Sequence, residues 1–296
     1  MTINITDAVR RRLFAVAYRL LGSVHDAEDA VGEGVLRWQQ LSEENRARVR
    51  EPLAWLTRVV SRVCLDQLKS ARVRRERYQG VWLPEPVLGA GGPADDSMTV
   101  DPADRVTLDD SVSYAFMVAL ERLSPAERVS FILHDVFGVP FDEVAETVGR
   151  SPAACRQSAV SARRHLRLER RFDVTTVDRD HVVAAFLDAC RGGDLAALVK
   201  VLHPDVEAVA DGGGVVHAAL KPVVGSTAVA KYLLGSMRLQ ENNSAVPPAY
   251  AIRALNGRNG IVVSIGGHIV GTVDVSITDG VITRILMQVN PDKLHL

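Results

Sequence analysis

The sequence predicts a multidomain fold in which two all-α segments, joined by a linker, precede one α+β domain. Apolar residues recur at every third or fourth position over much of the first 170 residues, as they do on amphipathic helices. The last fifty residues instead alternate between apolar and polar, and they turn at Asn256-Gly257 and Asp279-Gly280 as antiparallel strands do. Between the two helical segments, residues 88–107 are rich in glycine, proline and aspartate, which is typical of a linker.

Length and composition limit the class of protein. The 296 residues are enough for two or three domains, since a domain usually has about 100–150 residues. No apolar run approaches the roughly 20 residues of a membrane span, and the N-terminal residues lack the apolar core of a signal peptide. The three cysteines form no CxxC pair, and none of the eight histidines stands in a metal-ligand pair. We therefore expect a cytoplasmic protein with no membrane contact, disulfide framework, metal or cofactor.

The net charge of −1 conceals an uneven distribution of charge along the chain. Residues 1–80 carry +5, residues 81–149 carry −10, residues 150–172 carry +6 and the remainder carries −2. Two basic blocks separated by an acidic block indicate two contacts with a polyanion such as nucleic acid. For either block alone, a solvated helix face remains an alternative.

Three amphipathic helices are predicted in the first 80 residues. One has its apolar stripe from Leu13 to Leu20, the next runs from about Val24 to Leu41, and the third opens at Pro52. The second helix carries carboxylates that favour the positive end of its dipole and would also suit a basic protein partner. These carboxylates are Asp26, Glu28, Asp29 and Glu33. The third helix carries the cations Arg58, Arg62, Lys69, Arg72, Arg74 and Arg75.

A helix-turn-helix is predicted in the second helical segment, which also contains a capping box at residues 124–127. Phe141 to Val148 fits a short helix, a glycine turn follows, and Ser151-Pro152 begins a longer basic helix. Cys155 falls on the inner stripe of that helix, so we expect a core residue rather than a reactive thiol. On the outer face, Arg156 is suited to guanine and Gln157 to adenine in a major groove. The DNA-contacting set is Ser151, Ala153, Arg156, Gln157, Val160, Arg163 and Arg164, the last two for phosphates.

The linker contains an unusual stretch, VWLPEP at residues 81–86. Linkers normally avoid tryptophan, because a large ring gains nothing from exposure to water. We expect Trp82 and Leu83 to dock on the C-terminal domain, with Pro84 and Pro86 holding the segment extended. The alternative is that both side chains pad the end of the preceding helix.

The C-terminal domain is predicted to open with a helical hairpin, Asp178 to Cys190 and Asp194 to Leu202. Strand-like runs follow near residues 206–210 and 215–220, then a helix near 226–237, then four strands. Helices followed by a curved antiparallel sheet make an α+β cone. The cone has no net positive charge, so we do not expect it to bind DNA. The predicted division of the chain is 1–80, 81–107 for the linker, 108–173 and 174–296.

Several stretches of the first 170 residues resemble the extracytoplasmic-function sigma factors, the promoter-recognition subunits of bacterial RNA polymerase. AYRLLGSVHDAEDAVGE is similar to the first part of sigma region two, whose acidic helix binds the clamp helices of the polymerase core. REPLAWLTRVVSRVCLDQLKSARVRRERY resembles the part of region two that opens and reads the −10 promoter element. LERLSPAERVSFILHDVFGVPFDEVAETVGRSPAACRQ resembles region four, which reads the −35 element and touches the polymerase flap. The resemblance implies a protein that directs transcription initiation at specific promoters.

A subgroup of that family carries a C-terminal SnoaL-like domain, similar in fold to nuclear transport factor two. Its motifs occur here as WLPEP at 82–86, DGGG at 211–214 and NPDKL at 290–294. The resemblance implies that this domain regulates transcription in place of a separate membrane anti-sigma factor. We expect Asn290 or Asp292 to hold backbone N–H groups of the linker. The residues of the regulatory contact are Trp82, Leu83, Pro84, Asp211, Gly212, Gly213, Asn290, Asp292 and Lys293.

Three positions depart from the family pattern. Gly32 stands where the family usually has glutamine, which weakens the expected polymerase contact. Val215 replaces the lysine that follows DGGG, so we expect any charge pairing made there to be absent. Ser161 stands where a basic residue is common, which would cost one phosphate contact.

Two other functions stay open at the level of the sequence. A cyclase or isomerase in the cone would need a general base, for which Asp211, His217 and Asp292 are the candidates, but no short spacing pairs them. A one-component regulator would bind a small ligand of unknown identity in the cone and act on DNA without polymerase. The acidic second helix and the second basic block argue against that regulator. We therefore expect a sigma factor that is not an enzyme.

Overall fold

The structure is a computed structural model of the 296-residue chain. It describes residues 6–75, 78–89, 113–167 and 176–294, and of residues 71–75, 167 and 176–178 it describes the backbone alone. These residues form two compact units. The first unit contains residues 6–75 and 119–167, and the second contains residues 78–89, 113–118 and 176–294.

The described part of the first unit is helical throughout. Its helices are α1 (Asp7–Leu21), α2 (Val24–Gln40), α3 (Glu43–Arg48), α4 (Pro52–Arg75), the end of α5 (Tyr114–Leu120), α6 (Pro125–Phe131), α7 (Phe141–Val148) and α8 (Pro152–Arg167). A π-helix, Ile132–Val136, continues α6. The predicted helix-turn-helix is the pair α7 and α8, and the glycine between them, Gly149, has a left-handed φ of 72° that suits this residue type.

The apolar stripes predicted for these helices face the core. The stripe of α1 from Leu13 to Leu20 is fully buried at its apolar positions, and in α8 Cys155 and Ala159 are fully buried. Cys155 is therefore a core residue with a free thiol, as predicted. Because each helix buries one face and leaves the opposite face in water, the exposed faces of α2, α4 and α8 remain available for binding.

Helix α6 begins with the predicted capping box. The Ser124 side chain accepts a hydrogen bond from the Glu127 backbone, and Glu127 Oε2 accepts from Ser124 N at 2.9 Å and from Ser124 Oγ at 2.7 Å. Burial alone would raise the pKa of Glu127, but hydrogen bonds from Ser161 and Ser124 outweigh it, so the pKa lies below its ordinary value. Ser161 therefore has a structural partner in the first turn of α6.

The second unit is an α+β cone. Its elements are α9 (Thr176–Arg191), α10 (Leu195–Val201), β1 (Leu202–Asp211), β2 (Val223–Val224), α11 (Ser226–Asn243), β3 (Ala249–Leu255), β4 (Arg258–Ile265), β5 (His268–Thr278), β6 (Val281–Gln288) and a 3₁₀ turn, Pro291–Lys293. The strand order is β2-β1-β6-β5-β4-β3. β1 runs parallel to β6 and every other neighbouring pair is antiparallel. The predicted fold class, helical domains followed by an α+β cone, is confirmed.

Two hairpin turns occur where the sequence predicts them, and one predicted strand is wrong. Asn256 and Asp279 have positive φ of 47° and 50° and each precedes a glycine, as in the tight turns of β-hairpins. Residues 215–220 form a loop instead of a strand, and the short strand β2 lies further along the chain. Val215 is 70% exposed, so the apolar residues of this run do not face a core.

Helix α9 is attached to the sheet by a buried ion pair. Arg179 Nη2 lies 2.7 Å from Asp274 Oδ1, and Arg179 Nη1 donates to the Val275 carbonyl at 2.6 Å. Removing one partner of such a pair leaves an uncompensated buried charge, which costs about 3–5 kcal/mol. This anchor holds α9 against β5 and closes the cone.

Within the ranges that the structure describes, no helix is long and apolar enough to cross a membrane.

We expect Glu127→Gln to lower the free energy of unfolding by about 1 kcal/mol at pH 7, since an amide is a weaker acceptor in the capping box. The folded-state pKa of Glu127 is lowered, so its contribution is present above the unfolded pKa of about 4.3 and is lost as pH falls through the folded pKa. Urea unfolding at pH 7 and at decreasing pH should show the difference between wild type and variant shrinking. Glu43→Gln, an exposed change in the first turn of α3, is the control. A difference that is constant with pH would contradict this assignment.

Candidate functional site

The outer face of α8 is accessible. Ala153, Arg156 and Gln157 are exposed, and Val160 is 59% exposed. Ser151 precedes the helix, and its hydroxyl accepts a hydrogen bond from Ala154 N at 3.2 Å, which caps the N-terminus. The side chains predicted to read bases thus lie on one face, as in a recognition helix.

Three of the four arginines of α8, Arg156, Arg163 and Arg164, differ in their partners. The Arg156 guanidinium lies 5.4 Å from the ring centre of Phe141, within the range of a cation–π contact. Arg163 forms a bidentate ion pair with Asp135, with Nη2 to Oδ1 at 2.7 Å, and this pair raises the Arg163 pKa. A phosphate contact by Arg163 would have to replace that pair. Arg164 is exposed, which leaves it the more accessible of the two phosphate candidates.

Helix α4 presents part of the predicted −10 set. Arg62 and Lys69 are exposed, and Lys69 Nζ lies 3.0 Å from Asp66 on the same helix. Arg58 Nη1 lies 2.5 Å from Glu146 Oε2 on α7. Surface ion pairs of this kind contribute little stability, about 0–1 kcal/mol. The structure does not describe the side chains of the other three cations, Arg72, Arg74 and Arg75.

The four predicted carboxylates of α2 lie at or near the surface. Glu28 and Asp29 are exposed, whereas Asp26 and Glu33 are half-buried. Glu33 accepts a hydrogen bond from Arg37 at 2.8 Å one turn later. A side chain added at Gly32 would meet nothing within 4 Å, so this glycine leaves an open position on the helix.

The linker residue Leu83 is fully buried in the second unit. It belongs to a small apolar cluster with Tyr114, Val118, Val209 and Leu286. Because Val209 and Leu286 lie on β1 and β6, the linker packs on the parallel strand pair of the cone. The alternative contact, with the end of the preceding helix, involves side chains of residues 71–77, which lie outside those that the structure describes.

Asp211, at the end of β1, is a completely buried carboxylate that holds the linker backbone. Its Oδ2 accepts a hydrogen bond from Leu83 N at 2.8 Å, and its Oδ1 accepts from the Tyr78 hydroxyl at 2.6 Å and from Gly213 N at 3.0 Å. Lys293 Nζ lies 2.7 Å from Oδ2 and supplies the compensating charge. A buried carboxylate needs such partners because desolvation otherwise costs several kcal/mol.

Lys293 contacts the linker in three further ways. Its ammonium group donates to the Leu83 carbonyl at 2.7 Å. It also lies 4.1 Å from the ring centre of Trp82 and 4.9 Å from that of Tyr78. A desolvated cation held against an aromatic face contributes up to about 2 kcal/mol. Residues 78–83 therefore wrap around the Lys293 ammonium group.

Gln288 and Asn290 complete the contact. Gln288 is fully buried and donates through Nε2 to the Pro84 carbonyl at 3.2 Å, while its Oε1 accepts from Asn290 N at 3.0 Å. Asn290 Nδ2 donates to the Tyr78 hydroxyl at 3.0 Å. At Gly213, where φ is 64°, an added Cβ would lie 2.4–2.6 Å from the Asn290 side-chain atoms. The glycines of DGGG thus allow a close approach rather than forming a phosphate cradle.

We refer to this cluster as the linker lock, defined as Tyr78, Trp82, Leu83, Asp211, Gln288, Asn290 and Lys293. A second attachment follows it along the chain. Val87 and Asn256 exchange two hydrogen bonds, Val87 N to Asn256 Oδ1 at 3.0 Å and Asn256 N to the Val87 carbonyl at 2.7 Å. The Tyr114 hydroxyl donates to the Pro84 carbonyl at 2.7 Å. Residues 78–89 are therefore held along their length.

Burial raises the pKa of the Tyr78 hydroxyl, and the hydrogen bond to Asp211 raises it further. Tyr78 is thus a neutral donor at physiological pH, which is the form that the Asp211 carboxylate requires. This adds no second negative charge to the buried site.

Two details of the predicted contact need correction. Asp211 holds the linker N–H group of Leu83, whereas Asn290 or Asp292 was expected to do so. The Asp292 side chain is exposed, and its backbone N–H donates to Asn290 Oδ1. Charge pairing is present at the DGGG motif despite Val215, because Lys293 supplies the cation. Gly212 is buried, and an added Cβ there would lie 2.3 Å from the Val216 carbonyl oxygen.

Four residues of the contact were not predicted from the sequence: Tyr78, Tyr114, Asn256 and Gln288. Tyr78 lies four residues before Trp82, which was a usable signal for a paired aromatic contact. Gln288 is a polar residue at the end of an apolar run, Ile285 to Met287, a pattern that indicates a buried hydrogen-bonding role. Asn256 was assigned to the hairpin turn alone.

The three candidates for a general base differ in accessibility. Asp211 is covered by the linker, while His217 and Asp292 are exposed. Within the described ranges, no group of three or more histidine, cysteine or acidic side chains could hold a metal ion.

The fold and these surfaces define a DNA-binding transcription protein: two helical regions, the second with a helix-turn-helix, are joined to an appended cone. Residues 5–74 match the family Sigma-70 region 2, and residues 113–166 match Sigma-70, region 4.

Full-length relatives extend this likeness. The chain is 44% identical over 237 residues to the ECF RNA polymerase sigma factor SigJ of Mycobacterium tuberculosis, covering 79% of this chain and 73% of the relative. It is 37% identical over 291 residues to the probable ECF RNA polymerase sigma factor SigI of M. tuberculosis, covering 97% and 92%. The crystal structure of M. tuberculosis SigJ superposes with a TM-score of 0.74 at 36% identity, covering 97% of this chain and 95% of that one. The chain belongs to the extracytoplasmic-function sigma factors and acts in transcription initiation.

We expect Asp211→Asn to release the linker, because it leaves the Lys293 ammonium group buried without its counter-charge, at a cost of about 3–5 kcal/mol. Amide hydrogen exchange at Leu83 should accelerate at least 100-fold, which corresponds to about 3 kcal/mol. Asp292→Asn, the same chemical change at an exposed residue of NPDKL, is the matched control and should leave the exchange rate unchanged. Equal protection of Leu83 in all three proteins would show that the ion pair does not hold the linker.

Proposed function

We propose that the cone modulates this sigma factor by holding residues 78–89 in the linker lock. The observation that supports this proposal is the buried Asp211–Lys293 pair, in which both partners bind the backbone of Leu83. The linker lies between the two segments that match sigma regions two and four. Holding it therefore limits how those regions can separate.

The length of the held segment determines how strongly the separation of the two sigma regions is limited. Each extended residue adds at most about 3.3–3.6 Å of reach, so twelve held residues remove about 40 Å. The hydrogen bond from Tyr114 to the Pro84 carbonyl also attaches the beginning of α5 to the held segment. The lock thus fixes both ends of the connection between the sigma regions.

The net free energy of docking the linker is small, because favourable contacts are offset by the cost of ordering its backbone. Burying the Leu83 side chain contributes about 1.5–3 kcal/mol, and hydrogen bonds to charged groups contribute about 1.5–3 kcal/mol each. Ordering the backbone of each linker residue costs about 1–2 kcal/mol. Because these terms oppose one another, a competing contact on the linker or the cone can shift the equilibrium.

We assign the remaining surfaces by their accessibility and charge. The exposed face of α8 reads the −35 element, with Arg156 and Gln157 at base edges and Arg164 at phosphates. Arg62 and Lys69 on α4 contact the −10 region. The carboxylates of α2 bind the clamp helices of the polymerase core, and region four contacts its flap. The protein works in the cytoplasm, where core polymerase and promoter DNA are its partners.

We also propose that the cone is not catalytic. The relatives that cover most of the chain are named sigma factors. The single buried carboxylate of the DGGG motif accepts hydrogen bonds from Tyr78, Leu83 and Gly213 and pairs with Lys293. A carboxylate so fully engaged has no accessible position at which to accept a substrate proton.

Modulation through the lock predicts coupling between Trp82 and Lys293. Trp82→Ala and Lys293→Met should each change run-off transcription with core polymerase in the same direction, because both release the linker. The double variant should fall short of additivity by about 0.5–2 kcal/mol, the range of a cation–π contact. The control cycle combines Trp82→Ala with Lys231→Met, a change at an exposed lysine on α11. The effects of these two variants should be additive. Additivity in both cycles would remove the basis for regulation by the lock.

Promoter reading by α8 predicts different outcomes for two arginines. Arg156→Ala should relax the preference at one −35 base pair at a cost of about 1–3 kcal/mol. Arg164→Ala should weaken binding to all promoters alike and reduce the salt slope by about 1. A library of −35 variants, assayed at two salt concentrations, measures both effects. Unchanged base preference in Arg156→Ala would show that the assigned face of α8 does not read the promoter.

A further inference from the structure

Three side chains of the helix-turn-helix and the turn before it form a stack that ends at Arg156. The ring centres of His134 and Phe141 are 3.7 Å apart, and the two ring planes meet at an angle of 26°. The Arg156 guanidinium lies 5.4 Å from the centre of the same Phe141 ring. Phe141 therefore contacts both a stacked imidazole and the arginine that we assign to a −35 base.

The His134 ring is held by a hydrogen bond to the backbone. Its Nδ1 lies 2.9 Å from the Val139 carbonyl oxygen, which can only accept a hydrogen bond, so Nδ1 is the donor. His134 belongs to the π-helix Ile132–Val136, a type of turn that occurs frequently at functional sites. The hydrogen bond fixes the orientation of the imidazole, which packs against Phe141 as a rigid surface.

The backbone between the two rings is also restricted. Gly138 N donates to the His134 carbonyl at 3.0 Å, and Gly138 has a left-handed φ of 70°, which favours glycine. Pro140 follows with a φ of −58°, close to the value that its ring imposes, and Phe141 is the first residue of α7. The chain from His134 to Phe141 thus has little freedom to move the two rings apart.

An exposed arginine such as Arg156 gains from this support because its side chain is otherwise flexible. Rotamer freedom that is lost on binding a base costs free energy, and a side chain that is already held in place loses less. A guanidinium reads guanine through two parallel hydrogen bonds, which require its plane to be correctly oriented. Contact with the Phe141 ring supplies part of that orientation before DNA binds.

Packing alone does not require an aromatic residue at position 141. Phe141 is half-buried in the first turn of α7, where an aliphatic side chain could also fill apolar space. An aliphatic side chain, however, has no negative ring face for a guanidinium and no flat surface for an imidazole. Leucine at this position would therefore keep apolar packing and remove the contacts that orient Arg156.

We propose that Phe141, supported by His134, is a positioning residue that sets the preference of Arg156 for its −35 base pair. The Phe141 ring acts through the guanidinium: it favours the orientation that reads a base edge over orientations that reach neighbouring phosphates. The proposal rests on base reading by α8, which is part of the proposed function. It extends the determinants of promoter specificity to two residues outside the recognition helix.

The test compares −35 preferences of the full chain bound to core polymerase, measured with a library of −35 variants. Phe141→Leu should reduce the preference at the base pair read by Arg156 about two- to fivefold, the range of an exposed cation–π contact. Phe141→Tyr retains a ring and should keep the wild-type preference. His134→Ala should change the preference at the same base pair in the same direction. The affinity for nonspecific DNA and its salt slope should stay unchanged in all three variants, because no phosphate contact is lost.

Val148→Ala is the control for lost apolar packing, since Val148 is half-buried at the other end of α7. It should leave the preference at every −35 position unchanged. In an Arg156→Ala background, Phe141→Leu should have no further effect at that base pair. An unchanged preference in Phe141→Leu, or a change equal to that of Val148→Ala, would overturn the positioning role. An unchanged preference in Arg156→Ala would instead refute base reading by this face of α8, and the positioning role with it.

Discussion

The second unit depends on the buried pair between Asp211 and Lys293. A carboxylate and an ammonium group removed from water are stable only when their remaining hydrogen-bonding positions are filled. Here the linker fills them, because Leu83 contributes both its N–H and its carbonyl, and Tyr78 contributes its hydroxyl. The cone therefore cannot satisfy its own buried charges without the linker. This requirement couples a segment between the sigma regions to the fold of the appended domain.

The first unit uses buried charge in a different way. Arg128 caps α1 and pairs with Glu121, yet one of its nitrogens has no partner in the described part of the chain. Replacing such groups by apolar residues often stabilises a protein, so a buried guanidinium of this kind is weak evidence for stability. Burial lowers the pKa of Arg128 to about 9, which reflects the cost of keeping its charge away from water. The buried side-chain atoms of the linker lock all have hydrogen-bond partners, whereas one nitrogen of Arg128 has none among the described residues.

Much of the fold could be predicted because the spacing of apolar residues along the sequence shows which face of a helix or strand is buried. The stripe of α1, the inner position of Cys155 and the two hairpin turns all follow from local spacing. Residues 215–220 were misassigned because exposed Val215 and its apolar neighbours imitate a strand without a sheet to join. The motifs WLPEP, DGGG and NPDKL indicated which segments meet, but not how. Pairing Asp211 with Lys293, 82 residues later, depends on β1 and β6 being parallel neighbours, which local patterns do not encode.

Val215 shows that the contribution of a motif position depends on its burial as well as on its residue type. This position is 70% exposed, so a lysine there would form its ion pair in water, where such pairs contribute about 0–1 kcal/mol. Lys293 is nearly buried, and its charge faces Asp211 and two aromatic rings at low dielectric. The same charge interaction is several times stronger there than at the surface. The cation that determines docking is therefore the one in NPDKL, and the loss of a lysine after DGGG leaves the lock intact.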